Sequence, residues 1–372
     1  MQMPSRRSLS VIVAIQNDAA TLDRVLSAII SSNLDRDDYE LIVVDDASTD
    51  GSPELAGRYA DIVVRLAGRR AGAAYARNRG AEVAKADVLA FVDADAVVQP
   101  DTFQRLLKAL SDHPELDAVS AAHSETRVAE NLVSQYRILL LRFGEKRDAD
   151  SNGSVGSPCV AIGREAFLSA GMYDEWRFET GAVEGMEFGV RLAESGGEVF
   201  CNKDLQITLL RRWGLGAFCR EVRDRSVLVA RSLGYQRARR AAPGDIVFTL
   251  SRSAAPILAA ACVAAVSAAF LPRPHLSVGL SIVLLGTLAL NAPELLYFGK
   301  VRGVAFALAV APLHLLMQVV SASGLCAGWI LRDMFGDGAP DATTQAYAEV
   351  GVQSWPPVPR APAEMVSSGN RK

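Results

Sequence analysis

Leu41-Ile42-Val43-Val44-Asp45-Asp46-Ala47-Ser48-Thr49-Asp50-Gly51-Ser52 is an apolar run that stops at two carboxylates and a polar turn. Branched apolar residues without polar alternation describe a strand buried on both faces. Charge at the carboxyl end of such a strand lies where open α/β sheets keep their ligand crevice. Working outward, further Val- and Ile-rich runs lie at Ser10 to Ile15, Ile62 to Leu66 and Val88 to Val92. Stretches of helical spacing separate them. Thr21 to Ile30 carries Leu22, Val25, Leu26, Ile29 and Ile30 three or four apart, and Ser52-Pro53 opens another helix with a capping residue followed by Pro at the first helical position. The alternation predicts an α/β domain whose parallel sheet is covered on both faces.

A second constellation repeats the design. Val88-Leu89-Ala90-Phe91-Val92 runs into Asp93-Ala94-Asp95-Ala96. On an extended chain residues i and i+2 point the same way, so Asp93 and Asp95 converge on one ligand. A hard divalent cation, held by one or two carboxylates and completed by substrate phosphates, suits that pair.

The 372 residues are 50% hydrophobic with a formal net charge of −3, which excludes a disordered chain. Five cysteines, Cys159, Cys201, Cys219, Cys262 and Cys326, are odd in number and form no C-x-x-C pair, so neither a zinc knuckle nor a disulfide framework is expected. Leu9 to Ile15 is too short for a signal peptide and is expected to be the first strand. Charges are frequent up to Arg252 and nearly vanish until Arg332. Three apolar stretches fill that gap, at about 253–271, 276–298 and 304–331, each near the ~20 helical residues that a bilayer core of ~30 Å requires. Asn291, Pro293 and Glu294 interrupt the second. Arg237, Arg239, Arg240 and Arg252 precede the first stretch and Lys300 and Arg302 follow the second, against Arg273 alone between them. That asymmetry places the N-terminal domain in the cytoplasm and the protein in the cell (inner) membrane as a multi-pass chain. The expected organisation is a domain over 1–250, a membrane region of two or three helices over 251–335 and an unstructured Pro-rich tail over 336–372.

From Arg211 to Arg240 nine arginines face two acids, Glu221 and Asp224, among interleaved apolar residues. This predicts a basic helix at about 211–240 on a surface of anionic membrane lipids. Nucleic acid is not expected as a partner, because the domain as a whole is not basic. Asn131 to Arg147 is similarly amphipathic.

Together with Ala76-Arg77-Asn78-Arg79-Gly80, these segments resemble the family 2 glycosyltransferases of GT-A (Rossmann-like) fold. Ser10 to Asn17 is similar to that family's first strand, with Ala14 where Pro is usual. The resemblance implies a nucleotide-sugar domain followed by C-terminal transmembrane helices, with synthesis of polysaccharide or glycolipid as its setting. It implies donor binding by Asp45, Asp46, Arg77 and Asp93, with Asp45 on the nucleotide base, and a divalent cation (Mn²⁺ or Mg²⁺) on Asp95 and Asp93. Val183-Glu184-Gly185-Met186-Glu187-Phe188-Gly189-Val190-Arg191-Leu192 is similar to the family's Glu-Asp-x-(Asp/Glu)-Leu-x-x-Arg-Leu segment, but Gly185 stands where the catalytic Asp is expected. Removing a proton from the attacking hydroxyl contributes ~10²–10⁴ in rate. Either Glu184 or Glu187 replaces that base, or the acceptor is already an anion such as a lipid phosphate, or the site has decayed. Alternatively, Glu184, Glu187 and Arg191 form ordinary helix ion pairs. Thr208-Leu209-Leu210-Arg211-Arg212-Trp213 resembles a Thr-His-x-(Lys/Arg)-Arg-Trp segment, with Leu209 for His, and puts Arg211, Arg212 and Trp213 on the acceptor or diphosphate side. The implied function is a membrane-anchored, metal-dependent glycosyltransferase moving a sugar from a nucleotide-diphosphate donor to a lipid-linked or saccharide acceptor. The alternative is a catalytically silent, membrane-bound nucleotide-sugar binding protein.

Overall fold

The computed structural model describes residues 8–66, 72–147, 157–175, 183–233, 247, 249–250, 273–336 and 363–367. The chain begins as strand and helix in alternation: β1 (Leu9–Ile15), α1 (Ala19–Ile30), β2 (Tyr39–Asp45), α2 (Ser52–Tyr59), β3 (Ile62–Leu66), α3 (Ala73–Val83) and β4 (Val88–Asp93). β1 pairs in parallel with both β2 and β4, and β2 with β3. Alternate residues of the apolar runs then feed opposite faces. Val11, Val13, Leu41 and Val43 join one core with Leu22, Leu26 and Phe103, while Ile12, Ile42, Val44, Leu89 and Phe91 join the other. Phe91, Phe167, Tyr173 and Phe188 cluster in the second core, with Phe91 5.0 Å from Phe167 and 5.4 Å from Tyr173 between ring centres.

The second half departs from the expected all-parallel sheet. It contains β5 (Ala96–Val97), α4 (Thr102–Asp112), β6 (Ala118–His123), α5 (Leu132–Arg147), β7 (Cys159–Gly163), α6 (Arg164–Ser169), α7 (Glu184–Glu194) and β8 (Val199–Leu209). β7 runs antiparallel between β4 and β6, and β8 lies parallel to β6 and antiparallel to β5. With β9 (Ala363–Ser367) antiparallel on β3, the order is β5-β8-β6-β7-β4-β1-β2-β3-β9. β9 lies within the stretch expected to be an unstructured tail and occupies the edge of β3, whose unpaired backbone groups accept an extended segment.

The basic stretch at 211–240 starts its helix later than expected, as α8 (Leu215–Leu228) followed by a π turn over Val229–Leu233. The apolar stretch at 253–271 lies outside the described residues. The next forms one helix, α9 (Arg273–Arg302), which continues through Pro293, and the last forms α10 (Val304–Phe335). Among the described residues, α10 is the one helix long and apolar enough to cross a membrane. One face of it is covered. A Cβ added at Gly328 would lie 2.5 Å from the Val227 carbonyl oxygen, so α10 packs backbone to backbone on α8. Its other face exposes Leu308, Leu316, Val319, Trp329 and Ile330. Tyr136 of α5, Phe218 of α8, Phe298 of α9 and Val310 of α10 form a third core that joins these helices to the sheet domain.

Candidate active site

The parallel pairing of β1, β2 and β4 brings their carboxyl ends to one edge. Ile15 is level with Asp45, and Ala14 with Asp93. Asp45 and Asp46 are buried. Asp45 Oδ1 accepts from the Ser48 amide at 3.2 Å, while Asp46 Oδ2 accepts from the Gly72 amide at 2.8 Å and so ties β2 to the start of α3. The turn after them is strained, since Ala47 has φ +56° and Asn17, at the end of β1, has φ +58°. A left-handed conformation at a non-glycine residue costs about 1–3 kcal/mol and persists where neighbours enforce it. Here the two loops are stitched together, with the Thr49 amide donating to Asn17 Oδ1 at 2.8 Å and the Asn17 amide to Ser48 Oγ at 3.0 Å.

Arg77 projects from α3 into the middle of this edge. Its Nη2 donates to Asp93 Oδ1 and its Nη1 to Glu184 Oε1, both at 2.7 Å. α3 can come this close because Gly80 faces β1, where an added Cβ would lie 2.4 Å from Ile12 Cγ2. Burial alone would lower the Arg77 pKa, but Asp93 and Glu184 outweigh it and hold the guanidinium above its ordinary value. Asp93 keeps 38% of its side-chain surface open, so a ligand can reach it beside Arg77.

β4 ends at Asp93, and Ala94-Asp95 form a turn into β5, so the pair is not the extended i, i+2 arrangement expected from sequence. The pleat gives way because β5 must reverse onto β8. The Leu210 amide clamps the turn by donating to the Asp95 carbonyl at 2.8 Å. The two carboxylates nevertheless sense each other. Burial, and then the charge of Asp93, push the Asp95 carboxyl up to about 6. Asp18, after β1, is also raised, by burial first, with Asp50 and Asp93 adding to it. Among the described residues no group of three or more His, Cys, Asp and Glu is set to hold a metal ion. Two carboxylates that favour a proton at this crowded position nonetheless fit a cation whose other ligands are water and substrate phosphates.

The third acidic cluster divides into two roles. Glu187 is engaged on both oxygens by Arg191, at 2.5 and 2.8 Å, and Arg191 also donates to the carbonyls of Ala170 and Met172. It therefore fastens α7 to the turn after α6. Glu184 gives Oε1 to Arg77, while its Oε2 is buried with no hydrogen-bond partner among the described residues. Gly185 is buried beside it in the first turn of α7. Of the last predicted group, Arg211 and Arg212 are exposed, and the field of Arg211 reaches Asp18 and Asp95. Trp213 is buried in the third core under the Arg137 guanidinium, 4.0 Å from the ring centre, with its amide on Ser134 Oγ at 2.8 Å. Trp213 thus supports the segment and does not face the carboxylates.

Three residues near the site were not singled out from sequence. Asp18 has no flanking pattern, Arg137 is one of several arginines on α5, and His123 ends β6. Glu145 Oε1 lies 2.6 Å from His123 Nδ1, and the field of His123 reaches Asp93. Only the strand order brings them here.

Residues 10–171 match the family model Glycosyl transferase family 2. The chain is 40% identical over 114 residues to the uncharacterized glycosyltransferase YibD of Escherichia coli (strain K12), covering 30% of this chain and 33% of that protein. It is 30% identical over 112 residues to the putative glycosyltransferase EpsH of Bacillus subtilis (strain 168), covering 29% and 32%. The chain thus spans about a third of the length of the curated relatives it matches. Among solved structures, the mannosyltransferase PcManGT from Pyrobaculum calidifontis, in complex with GDP-Man and Mn²⁺, superposes with a TM-score of 0.57 at 23% identity, over 84% of this chain and 88% of that one. The fold is the mixed α/β sheet of the GT-A type.

Proposed function

We propose that the chain is a membrane-anchored glycosyltransferase that moves a sugar from a nucleotide-diphosphate donor to an acceptor bound beside α7. The observation that carries this reading is the single charged network Asp93–Arg77–Glu184, with Asp95 next to it, at the carboxyl edge of a sheet that matches family 2 over residues 10–171. Asp45 lies on the same edge, two strands away from Asp93, where a nucleoside extends from its diphosphate.

In this reading Asp45 accepts hydrogen bonds from the base, and Asp46 keeps the loop in place through Gly72. Arg77 presents a fixed positive charge to the departing diphosphate, and Asp93 and Glu184 hold its orientation. Asp93 and Asp95 would hold a divalent cation, which supplies charge neutralisation of the leaving group. For a hydroxyl acceptor, Glu184 Oε2 is the oxygen able to take the proton, since both Glu187 oxygens are occupied. The cation and the donor class agree with the GDP-Man and Mn²⁺ named for PcManGT. α10, with its exposed apolar face, provides the anchor.

The test is a thermal-shift screen of nucleotide sugars with and without Mn²⁺ on the full chain, followed by donor hydrolysis and transfer assays. Stabilisation that needs both sugar nucleotide and metal, together with turnover, is expected. Binding without hydrolysis or transfer to any acceptor would make the protein a silent nucleotide-sugar binder.

A further inference from the structure

His123 ends β6, and Glu145 of α5 closes against it. Glu145 Oε1 lies 2.6 Å from His123 Nδ1, and both Glu145 oxygens accept from the His123 amide, at 3.2 and 3.0 Å. Arg142, one turn earlier on α5, donates to Glu145 Oε2 at 3.5 Å and from Nη2 to the Lys203 carbonyl of β8 at 2.8 Å. A carboxylate only accepts, so Nδ1 carries the imidazole proton and Nε2 of the neutral ring keeps its lone pair. Nδ1 is enough to fasten α5 to β6. Nε2 has no hydrogen-bond partner among the described residues, and although the side chain is only 11% exposed this atom is not sealed from solvent. The fold thus fixes the ring and leaves one acceptor atom unspent at its rim.

Strand order places that atom. β6 and β4 run in the same direction, since both are antiparallel to β7. Phe91 and Ser120 are both opposite Val160, so Asp93 is level with Ala122, and His123 stands one residue further toward the carboxyl edge. Two strand spacings, about 10 Å, separate it from Asp93. The order β6-β7-β4-β1-β2 puts Asp45 two strands to one side of Asp93 and His123 two strands to the other. With the nucleoside over β1 and β2 and its diphosphate at Asp93, the half of the edge over β7 and β6 is left for the second substrate.

We propose that His123 is an acceptor-binding residue, whose Nε2 accepts a hydrogen bond from a hydroxyl of a saccharide acceptor, a neighbour of the hydroxyl that reacts. The inference rests on the transferase reading of the carboxylates and deepens it, since it chooses the saccharide among the acceptor classes. The chemistry of the atom makes the choice. A bare lone pair takes an O–H and repels an anionic oxygen, and the carboxylates of Glu145 and Asp93 add to that repulsion. Glu184 removes the proton of the reacting hydroxyl, so the two residues engage different oxygens of one sugar. His123 takes no proton in this scheme and sets acceptor affinity rather than the chemical step.

Binding is measured on the full chain in a polyoxyethylene detergent, which carries no sugar, by saturation-transfer difference. The probes are the methyl glycosides of glucose, galactose, mannose and N-acetylglucosamine, with methyl phosphate as competitor. At least one glycoside is expected to bind and to resist displacement by methyl phosphate. Asparagine sets its amide near the place of Nδ1 and glutamine near that of Nε2, so the two substitutions divide the roles of the ring. His123→Asn keeps a donor for Glu145 and is expected to weaken the glycoside about 3- to 10-fold, the worth of one hydrogen bond, at an unchanged melting temperature. His123→Gln drops the Glu145 contact and lowers the melting temperature, but its amide oxygen replaces Nε2 and should keep affinity within about 2-fold of wild type. A monodeoxy glycoside that lacks the contacted hydroxyl should bind the wild type more weakly by the same factor and be indifferent to His123→Asn. In transfer assays the loss in His123→Asn falls on the acceptor KM and not on kcat. Glycoside affinity that tracks melting temperature in both variants, indifference of both, failure of every glycoside to bind, or displacement by methyl phosphate would each overturn the proposal. Failure of the transferase reading has a separate signature, the absence of any nucleotide-sugar turnover while glycoside binding still responds to the two variants.

Discussion

Asp95 is the residue whose chemistry is most exposed to test. Its carboxyl is raised to about 6 by burial and by Asp93, so the folded protein takes up this proton before the unfolded chain does. That contribution to stability is complete below the ordinary carboxylate pKa and is lost as pH rises through about 6. The melting temperature of metal-free protein should therefore fall between pH 4 and pH 7, and Asp95→Asn should flatten the profile and abolish Mn²⁺-dependent stabilisation by a nucleotide sugar. An unchanged pH profile and unchanged Mn²⁺ dependence in Asp95→Asn would remove Asp95 from the metal site. Glu184 and Glu187 separate in the same way. Glu187→Gln strips a partner from Arg191 and should lower the melting temperature, with turnover per folded molecule nearly constant. Glu184→Gln keeps an oxygen for Arg77. It should lower transfer to a sugar hydroxyl ~10²-fold or more, while transfer to an alkyl phosphate stays near wild type. Equal losses with both acceptors would show that Glu184 acts through Arg77 alone. Asp45, Asp93 and Asp95 stood out in the sequence as charge at the end of an apolar strand and Glu184 as charge at a helix start, whereas Arg77, inside α3, came from the resemblance to the family alone. Asp18, Arg137 and His123 were not, since each reaches the site only through strand order. The division between Glu184 and Glu187 was also hidden, because helical spacing permits both an ion pair and a free carboxylate.

At the level of elements, the decisive contact is α3 against β1. Gly80 lets the helix approach until an added Cβ would overlap Ile12, and that approach sets how far Arg77 reaches toward Asp93 and Glu184. Gly80→Ala should cost about 1–3 kcal/mol, the usual penalty for overpacking a core, and should weaken donor binding through displacement of Arg77. The pairing Gly80→Ala with Ile12→Val makes room for the added methyl and should recover part of both losses. A fall in melting temperature without any change in donor affinity would show that Arg77 is placed independently of this contact. The first four strands and their helices were legible because each is an uninterrupted apolar run followed by a stretch of helical period. The antiparallel entry of β7 was not. Cys159-Val160-Ala161-Ile162 has the same composition as a parallel strand, and the direction of a buried strand is fixed by which partners its backbone meets.

The whole molecule joins a sheet domain to apolar helices through one shared core. Tyr136 Oη lies 2.8 Å from His314 Nδ1, the Tyr297 hydroxyl donates to Glu125 at 2.8 Å, and Arg302 holds the Glu125 carbonyl. α5 and the loop before it are therefore fastened to α9 and α10 by polar contacts as well as by packing. If α10 crosses a bilayer, the carboxyl edge of the sheet stands at a fixed distance from its surface. The side on which this happens follows from charge. On the proposed membrane reading, the arginines before residue 253 and the pair Lys300 and Arg302 are expected on the cytoplasmic face, where cationic loops remain. Reporter fusions placed before Ser253 and at His275 should then give opposite signals, with the reporter before Ser253 active only in the cytoplasm. Matching signals would mean that residues 253–271 do not cross, which leaves α10 to anchor the domain by itself. Moving two arginines from 237–240 into the segment beside Arg273 supplies the sharper version of the test. A charge-determined topology should weaken or invert under that exchange, whereas an orientation fixed by the folded domain should not respond at all.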